Sequence, residues 1–320
     1  MADIPEIPKK ILEAAYRGNL IVFVGAGVSR IIGCPSWNEF ANIILDDLTE
    51  KNIINYFENS ELSKLSPRKI LSICWEIYRE KNLNPPDFNK IFIENEKLKE
   101  KYDIYGALYD FNTIYVTTNY DDQLDREAIK GRPINHAETS TDEPQGAVVE
   151  QIKIGRNIYK EEELLISNLV NGNVIHIHGS INDPSKAIVT LSDYMSKYSE
   201  RDGRIQVFLN EIFNHYTVLF IGYGLEEYEI LEFMISKIPK NERIISHFIL
   251  IPFFESQKNV INYQKKYYAS FGIELIHYFI DKSGYPHLAR VINEWAKEIS
   301  PISRPKTALD KLRLIDEVLK

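Results

Sequence analysis

Four short stretches of this chain carry residues that could hold a phosphorylated ligand and move a proton. Gly25-Ala26-Gly27-Val28-Ser29 is a run in which the backbone can turn sharply and a diphosphate can approach main-chain N–H groups at a helix start. The full GxGxxG fingerprint is absent because Arg30 stands in the third glycine's place, and a purely steric strand-to-helix turn has the same composition. Thr117-Thr118-Asn119-Tyr120-Asp121 offers an amide that donates and accepts without titrating, suited to a ribose hydroxyl or a water. Asn119 or Asp121 could equally cap the helix that follows. In Val174-Ile175-His176-Ile177-His178-Gly179-Ser180 the histidines are two apart, which on a strand aims them to one side. Such a pair could ligate a metal, but no third ligand follows at a recognisable spacing. His178, just before a glycine turn, is placed for general-base work near neutral pH; His176, deeper in the strand, reads as a hydrogen-bonded core residue. Finally, Leu219-Phe220-Ile221 runs into Gly222-Tyr223-Gly224 and then Glu226-Glu227. That suits the second half of a dinucleotide, or an ordinary turn with acids at a helix's positive end.

The elements that would position these residues are legible as apolar runs: Leu20–Val24, Thr113–Thr117, Val174–Ile177, Thr217–Ile221, Phe248–Ile251 and Ile273–Ile276. Near-continuous apolar strands separated by helix-length segments predict an α/β fold, a Rossmann-like doubly wound, mostly parallel sheet. Each chemical stretch then falls at a strand's carboxyl end, where open α/β sheets hold ligands. Some ninety residues separate the first two strands, too many for one crossover, and they predict an all-helical insertion over 36–112. Ser36-Trp37-Asn38-Glu39 is a capping box, with Trp37, Phe40, Ala41, Ile44, Leu45 and Leu48 on one stripe. Ser66-Pro67 opens a second helix with Ile70, Leu71, Cys74, Ile77 and Tyr78 on one side. The polar, aperiodic stretch Gly131 to Gly146 predicts a surface loop. One large domain is expected over 1–300. Residues 301–320 are expected to form a linker and a terminal amphipathic helix whose apolar stripe, Ala308, Leu312, Ile315 and Leu319, needs a surface to cover it.

Composition narrows the function classes. With 320 residues, 44% apolar and 26% charged, the chain has ordinary globular usage, which excludes a disordered or fibrous protein. The balance of 38 basic against 46 acidic side chains gives a net charge of −8, so no long-range attraction to nucleic acid or anionic lipid is expected. Two cysteines, Cys34 and Cys74, without a CxxC signal neither a zinc site nor a disulfide framework, and predict reduced thiols in the cytoplasm. The first residues lack the unbroken apolar stretch of a secretion signal. The longest strongly apolar run, Phe248 to Phe254, is too short to span a bilayer.

Taken in order, GAGVS, GCPSW, TTNYD, HIHGS and LFIGYG resemble the motifs of the sirtuin superfamily over about Ile21 to Glu298. TTNYD with HGS, then Ser192-Asp193-Tyr194 and GYGLEE, is more closely similar to the sirtuin-like domains of bacterial anti-phage defence effectors, which hydrolyse NAD. The resemblance implies NAD as substrate, cleaved to nicotinamide and ADP-ribose, and no metal. It implies that Gly25, Ala26, Gly27 and Ser29 hold the pyrophosphate, that Gly222, Tyr223 and Gly224 lie by the adenosine half, and that Thr118 also belongs to the cofactor site. Asn119 would orient the water or the nicotinamide ribose, Asp121 would support its loop, and His178 would accept the proton. As partners it implies a homo-oligomer, or a fused or separate defence protein, with a phage-derived trigger. The sequence departs from the deacetylase branch in two ways. The four cysteines of that branch's zinc ribbon are missing, and Ser36-Trp37 replaces the acid and aromatic of its GIPDFR segment, so the helical insertion is expected to cover the nicotinamide end. The competing readings are a sensor that binds NAD or an ADP-ribose-like nucleotide without turnover, an NAD-dependent deacylase, and a metal hydrolase using both histidines.

Overall fold

The computed structural model describes residues 4–130, 155–198, 203–223 and 247–303. Among them, seven strands form one sheet in which every pairing is parallel. They are β1 (Leu20–Val24), β2 (Ile114–Thr117), β3 (Asn157–Ile158), β4 (Val174–His176), β5 (Thr217–Ile221), β6 (His247–Phe253) and β7 (Ile273–Phe279). Their order across the sheet is β3-β4-β2-β1-β5-β6-β7. The chain passes from β1 to β2, lays β3 at the far edge and brings β4 back between it and β2, then returns to β5 and works outward on the other side. The reversal between β1 and β5 is the topological switch point at which such sheets open a crevice for ligands. Six of the strands coincide with the apolar runs. β3 is new, a two-residue edge strand too short to leave a periodic signal.

All five residues of β1 are buried, as expected of a strand covered on both faces. Alternate positions divide between two cores. Leu20, Val22 and Val24 meet Tyr115, Leu219, Trp295 and Ile299 on one face. Ile21 and Phe23 meet Val116, Ile175, Phe208, Leu209 and Phe220 on the other. The helix His287–Ser303 covers the first face and continues through Pro301, and the Trp295 indole N–H closes onto the Pro5 carbonyl at 2.8 Å. Residues 304–320 and the expected loop at 131–146 lie outside the described residues.

Between Ser36 and Asn112 the chain forms helices, beginning with Trp37–Glu50, Tyr56–Leu62 and Pro67–Glu80. The Ser36 capping box is made in both directions, at 3.2 and 2.7 Å. Phe40, Ile44, Leu45 and Leu48 interlock with Ile70, Leu71, Cys74 and Tyr78 in a third core, which also takes in Tyr120, Ile181 and Val189 from the loops after β2 and β4. The insertion thereby packs against the carboxyl edge of the sheet. Glu94 reinforces the junction by accepting from Arg126 at 2.5 Å and from Lys99 at 2.8 Å. No helix among the described residues is long and apolar enough to cross a membrane.

Candidate active site

The loops after β1, β2, β4, β5 and β7, with residues of β6 itself, border one cavity of about 710 Å³ along the carboxyl edge of the sheet. From β4 to β7 the edge spans five strand spacings of ~4.8 Å, roughly 24 Å, which suits an extended ligand.

At the switch point the two glycine turns pack against each other. The Gly25 N–H bonds the Ile221 carbonyl at 2.9 Å and the Gly27 N–H bonds the Gly222 carbonyl at 2.7 Å. A Cβ on Gly25 or Gly27 would meet the Gly222 oxygen at 2.7 Å, and Gly222 itself has φ +63°. The steric explanation for these glycines is thus realised, and their N–H groups are engaged by protein here. Ala26, Gly27, Ser29, Gly222 and Tyr223 line the cavity, Gly25 is not among its lining residues, and Gly224 lies outside the described residues. Arg30, a misfit in the glycine fingerprint, is exposed and lines the cavity.

The turn after β2 is fixed by Thr117, whose hydroxyl donates to the Val24 carbonyl at 2.8 Å and accepts from the Asn119 N–H at 3.0 Å. Thr118, Asn119, Tyr120 and Asp121 line the cavity. The Asn119 Nδ2 donates to Ser29 Oγ at 2.8 Å, and Ser29 Oγ donates to Asp121 Oδ2 at 2.6 Å. The Tyr105 hydroxyl lies 2.7 Å from Ser29 Oγ and 3.3 Å from Asp121 Oδ1. Because Nδ2 is committed to Ser29, the amide presents Oδ1 elsewhere, and that buried oxygen has no hydrogen-bond partner among the described residues. An entering hydroxyl, water or carboxamide N–H would complete it. Asp121 also plays the capping role, accepting from the Gln123 N–H at 3.3 Å. Burial raises its carboxyl above the usual range, although the Ser29 and Gln123 hydrogen bonds and the His176 charge oppose this.

Ser29 and Asn119 are 90 residues apart in the chain, and His178 joins them at the same cavity. Its Nε2 lies 2.7 Å from the Tyr198 hydroxyl and its Nδ1 3.4 Å from the Tyr194 hydroxyl. Arg68 stacks over the Tyr194 ring, 4.4 Å from its centre. Burial, with the nearby Arg68 charge, pushes the His178 imidazole down to about 3, so it is neutral throughout the physiological range. His176 has other partners, Asp125 and the Asn119 carbonyl. The two histidines therefore do not converge on one metal position, and the described residues contain no group of three or more metal-ligating side chains.

The insertion walls the cavity with Trp37, Phe40 and Phe92, clustered around Tyr120 at ring distances of 5.9, 6.1 and 5.5 Å. Ile251, Pro252, Tyr278 and Tyr285 line the cavity from the β6 and β7 side. Sequence reasoning missed Tyr105, Asp125 and Tyr198. Only Tyr198 had a local signal, since it follows Tyr194 by four residues and so shares a helix face with it.

A fully parallel, doubly wound sheet with glycine turns meeting at the switch point defines a Rossmann-like α/β protein. Residues 113–276 match the model of the SIR2-like domain, and the chain belongs to that family. It is 23% identical over 295 residues to Defense-associated sirtuin 2 of Bacillus subtilis, covering 90% of this chain and 26% of that protein. It is 26% identical over 248 residues to NAD(+) hydrolase ThsA of Enterococcus faecium, covering 74% of this chain and 41% of that protein. Against NAD(+) hydrolase ThsA of Bacillus cereus strain MSX-D12 the identity is 23% over 241 residues, covering 73% and 42%. The matches span 26% to 42% of the length of these relatives.

Proposed function

We propose that this chain is the NAD-hydrolysing unit of an anti-phage defence effector and that it cleaves NAD to nicotinamide and ADP-ribose. The observation that carries the reading is the meeting of the Ser29–Asn119 pair and a neutral His178 at one cavity. The names of the relatives support it, two being NAD(+) hydrolases and one a defence-associated sirtuin.

In this reading the dinucleotide lies along the sheet edge. Its diphosphate is bordered by Ala26, Gly27, Ser29 and Thr118, with Arg30 supplying charge. Its adenosine half lies toward Gly222, Tyr223 and Gly224, and its nicotinamide ribose toward Asn119 and His178. The C1′–N bond breaks with its electron pair passing to the pyridinium, which leaves as neutral nicotinamide and needs no acid. The ribose is left as an oxocarbenium ion. Water held by the Asn119 Oδ1 adds to C1′ and passes a proton to His178, and Asp121 contributes a buried carboxylate that favours the cationic transition state. A homo-oligomer or a defence partner, a phage-derived trigger and a cytoplasmic location complete the proposal.

The test is chromatography of NAD products at high protein concentration, with wild type beside Asn119→Ala and His178→Ala. Wild type is expected to release nicotinamide and ADP-ribose. Each variant should be at least about a hundred-fold slower, as for loss of a positioned base, with an unchanged circular dichroism spectrum. Full activity in either variant would overturn that residue's role. NAD binding by wild type without nicotinamide release would select the sensor reading instead.

A further inference from the structure

His176 does not line the cavity and is 2% exposed, so it has no access to substrate. Its surroundings are nevertheless specific. Nδ1 lies 3.0 Å from the Asn119 carbonyl oxygen and Nε2 lies 2.9 Å from Asp125 Oδ1. A carbonyl and a carboxylate only accept hydrogen bonds. A neutral imidazole has one N–H and one lone pair, so it would satisfy one of these partners and aim a lone pair at the other. Both bonds form together when the ring carries two N–H groups.

The carboxylate is held in turn by groups from other elements. The Tyr159 hydroxyl, next to β3, donates to Asp125 Oδ2 at 3.1 Å, and the Asn182 amide, from the loop after β4, donates to the same oxygen at 3.4 Å. The Tyr159 ring also packs on the imidazole, with centres 5.2 Å apart. From the turn after β2 the buried Asp121 adds a second negative charge facing the ring. Burial alone would strip the proton from His176, but the Asp125 charge and hydrogen bond, the Asn119 carbonyl and Asp121 outweigh it, and the ring titrates above the usual histidine range.

We infer that His176 and Asp125 form a buried imidazolium–carboxylate pair that fixes the Asn119 backbone and so positions the Asn119 amide for NAD hydrolysis. The inference rests on the hydrolase reading above. His176 is a positioning residue in this scheme. The pair grips the main chain of Asn119 while Ser29 grips its side chain, so the amide is held at both ends. Neutralising the ring at high pH removes the donor to one of its two partners and loosens the turn.

The experiment combines steady-state nicotinamide release with a 15N spectrum of histidine-labelled protein. In wild type at pH 7.5, one of the seven histidines, identified by its loss in His176→Gln, should show two protonated ring nitrogens. In Asp125→Asn the same ring should become singly protonated. That variant is expected to lose on the order of a hundred-fold in kcat, the cost of a small misplacement of a reacting group, with KM within about three-fold of wild type because the binding surfaces are untouched. Its alkaline limb should also move to lower pH, since removing the counter-charge favours the neutral ring. Wild-type kcat and an unmoved alkaline limb in Asp125→Asn would overturn the inference. So would a singly protonated His176 in wild type, which would put the proton on Asp125. Should wild type release no nicotinamide, the hydrolase reading fails, and the positioning role falls with it. The ring spectrum then still decides whether the charged pair exists.

Discussion

His178 is held between two tyrosine hydroxyls of the helix Leu191–Tyr198, one at each ring nitrogen. Burial, with Arg68 nearby, brings it down to about 3. A base of this kind is weak but ready, because near neutral pH it needs no prior deprotonation. If His178 is the base, kcat/KM should be level between pH 5 and 7.5, and a rate profile with an acid limb near 6.5 would exclude it. The same environment explains why sequence alone misjudges the group. A histidine two residues beyond another on a strand reads as a near-neutral titrating side chain, and only the enclosing Tyr194, Tyr198 and Arg68 make it otherwise. Cys34 is a parallel case. It lines the cavity, yet burial and the Asp121, Glu94 and Asp122 charges raise its thiol so far that it carries no nucleophilic thiolate.

Among elements, the β1 and β5 turns are mutually dependent. A Cβ on Gly222 would lie 2.5 Å from the Val28 nitrogen and 2.7 Å from its Cγ2. One of these obstacles is backbone and cannot swing away, and the positive φ adds strain of its own. Gly222→Ala is expected to destabilise the protein by about 1–3 kcal/mol, the range for overpacking, read as a lower urea midpoint with an unchanged m-value. A midpoint equal to wild type would show that the turns do not need each other. The insertion is a second joined element. Its own core was visible as helical stripes, but its attachment through Tyr120, Ile181 and Val189, and through Glu94 to Arg126, involves residues whose local pattern gives no hint of a partner.

For the whole molecule, the buried groups set the acid stability. His178 and His247 are pushed by burial to about 3 and about 4 from an ordinary 6.5. Below 6.5 the unfolded chain takes up protons that these folded sites refuse. Their contribution is complete above 6.5 and is lost as pH falls toward the folded values. Glu94 adds to the same trend. Its burial is outweighed by hydrogen bonding to Lys99 and by the Arg126 and Lys99 charges, which lower it to about 2, so its contribution erodes below about 4.5. His176 works the other way, its raised value stabilising the fold until pH climbs through it. The melting temperature should therefore fall steadily from pH 7 to pH 4.5. A melting temperature constant over that interval would show that these groups are not buried as described.

The sequence by itself determined the sheet and the address of the site. Continuous apolar runs can be satisfied only by strands covered on both faces, and a parallel sheet sends every strand's carboxyl end to one edge, so GAGVS, TTNYD, HIHGS and GYG had to gather there. The two-residue β3 and the uses of the gathered groups were decided by the tertiary structure. Ser29 acts on Asn119 across 90 residues, Asp125 on His176 across 51 and Tyr198 on His178 across 20. Spacing records which side chains share a face of one element. Protonation and orientation depend on what closes over that face, and those neighbours arrive from elsewhere in the chain only when it folds.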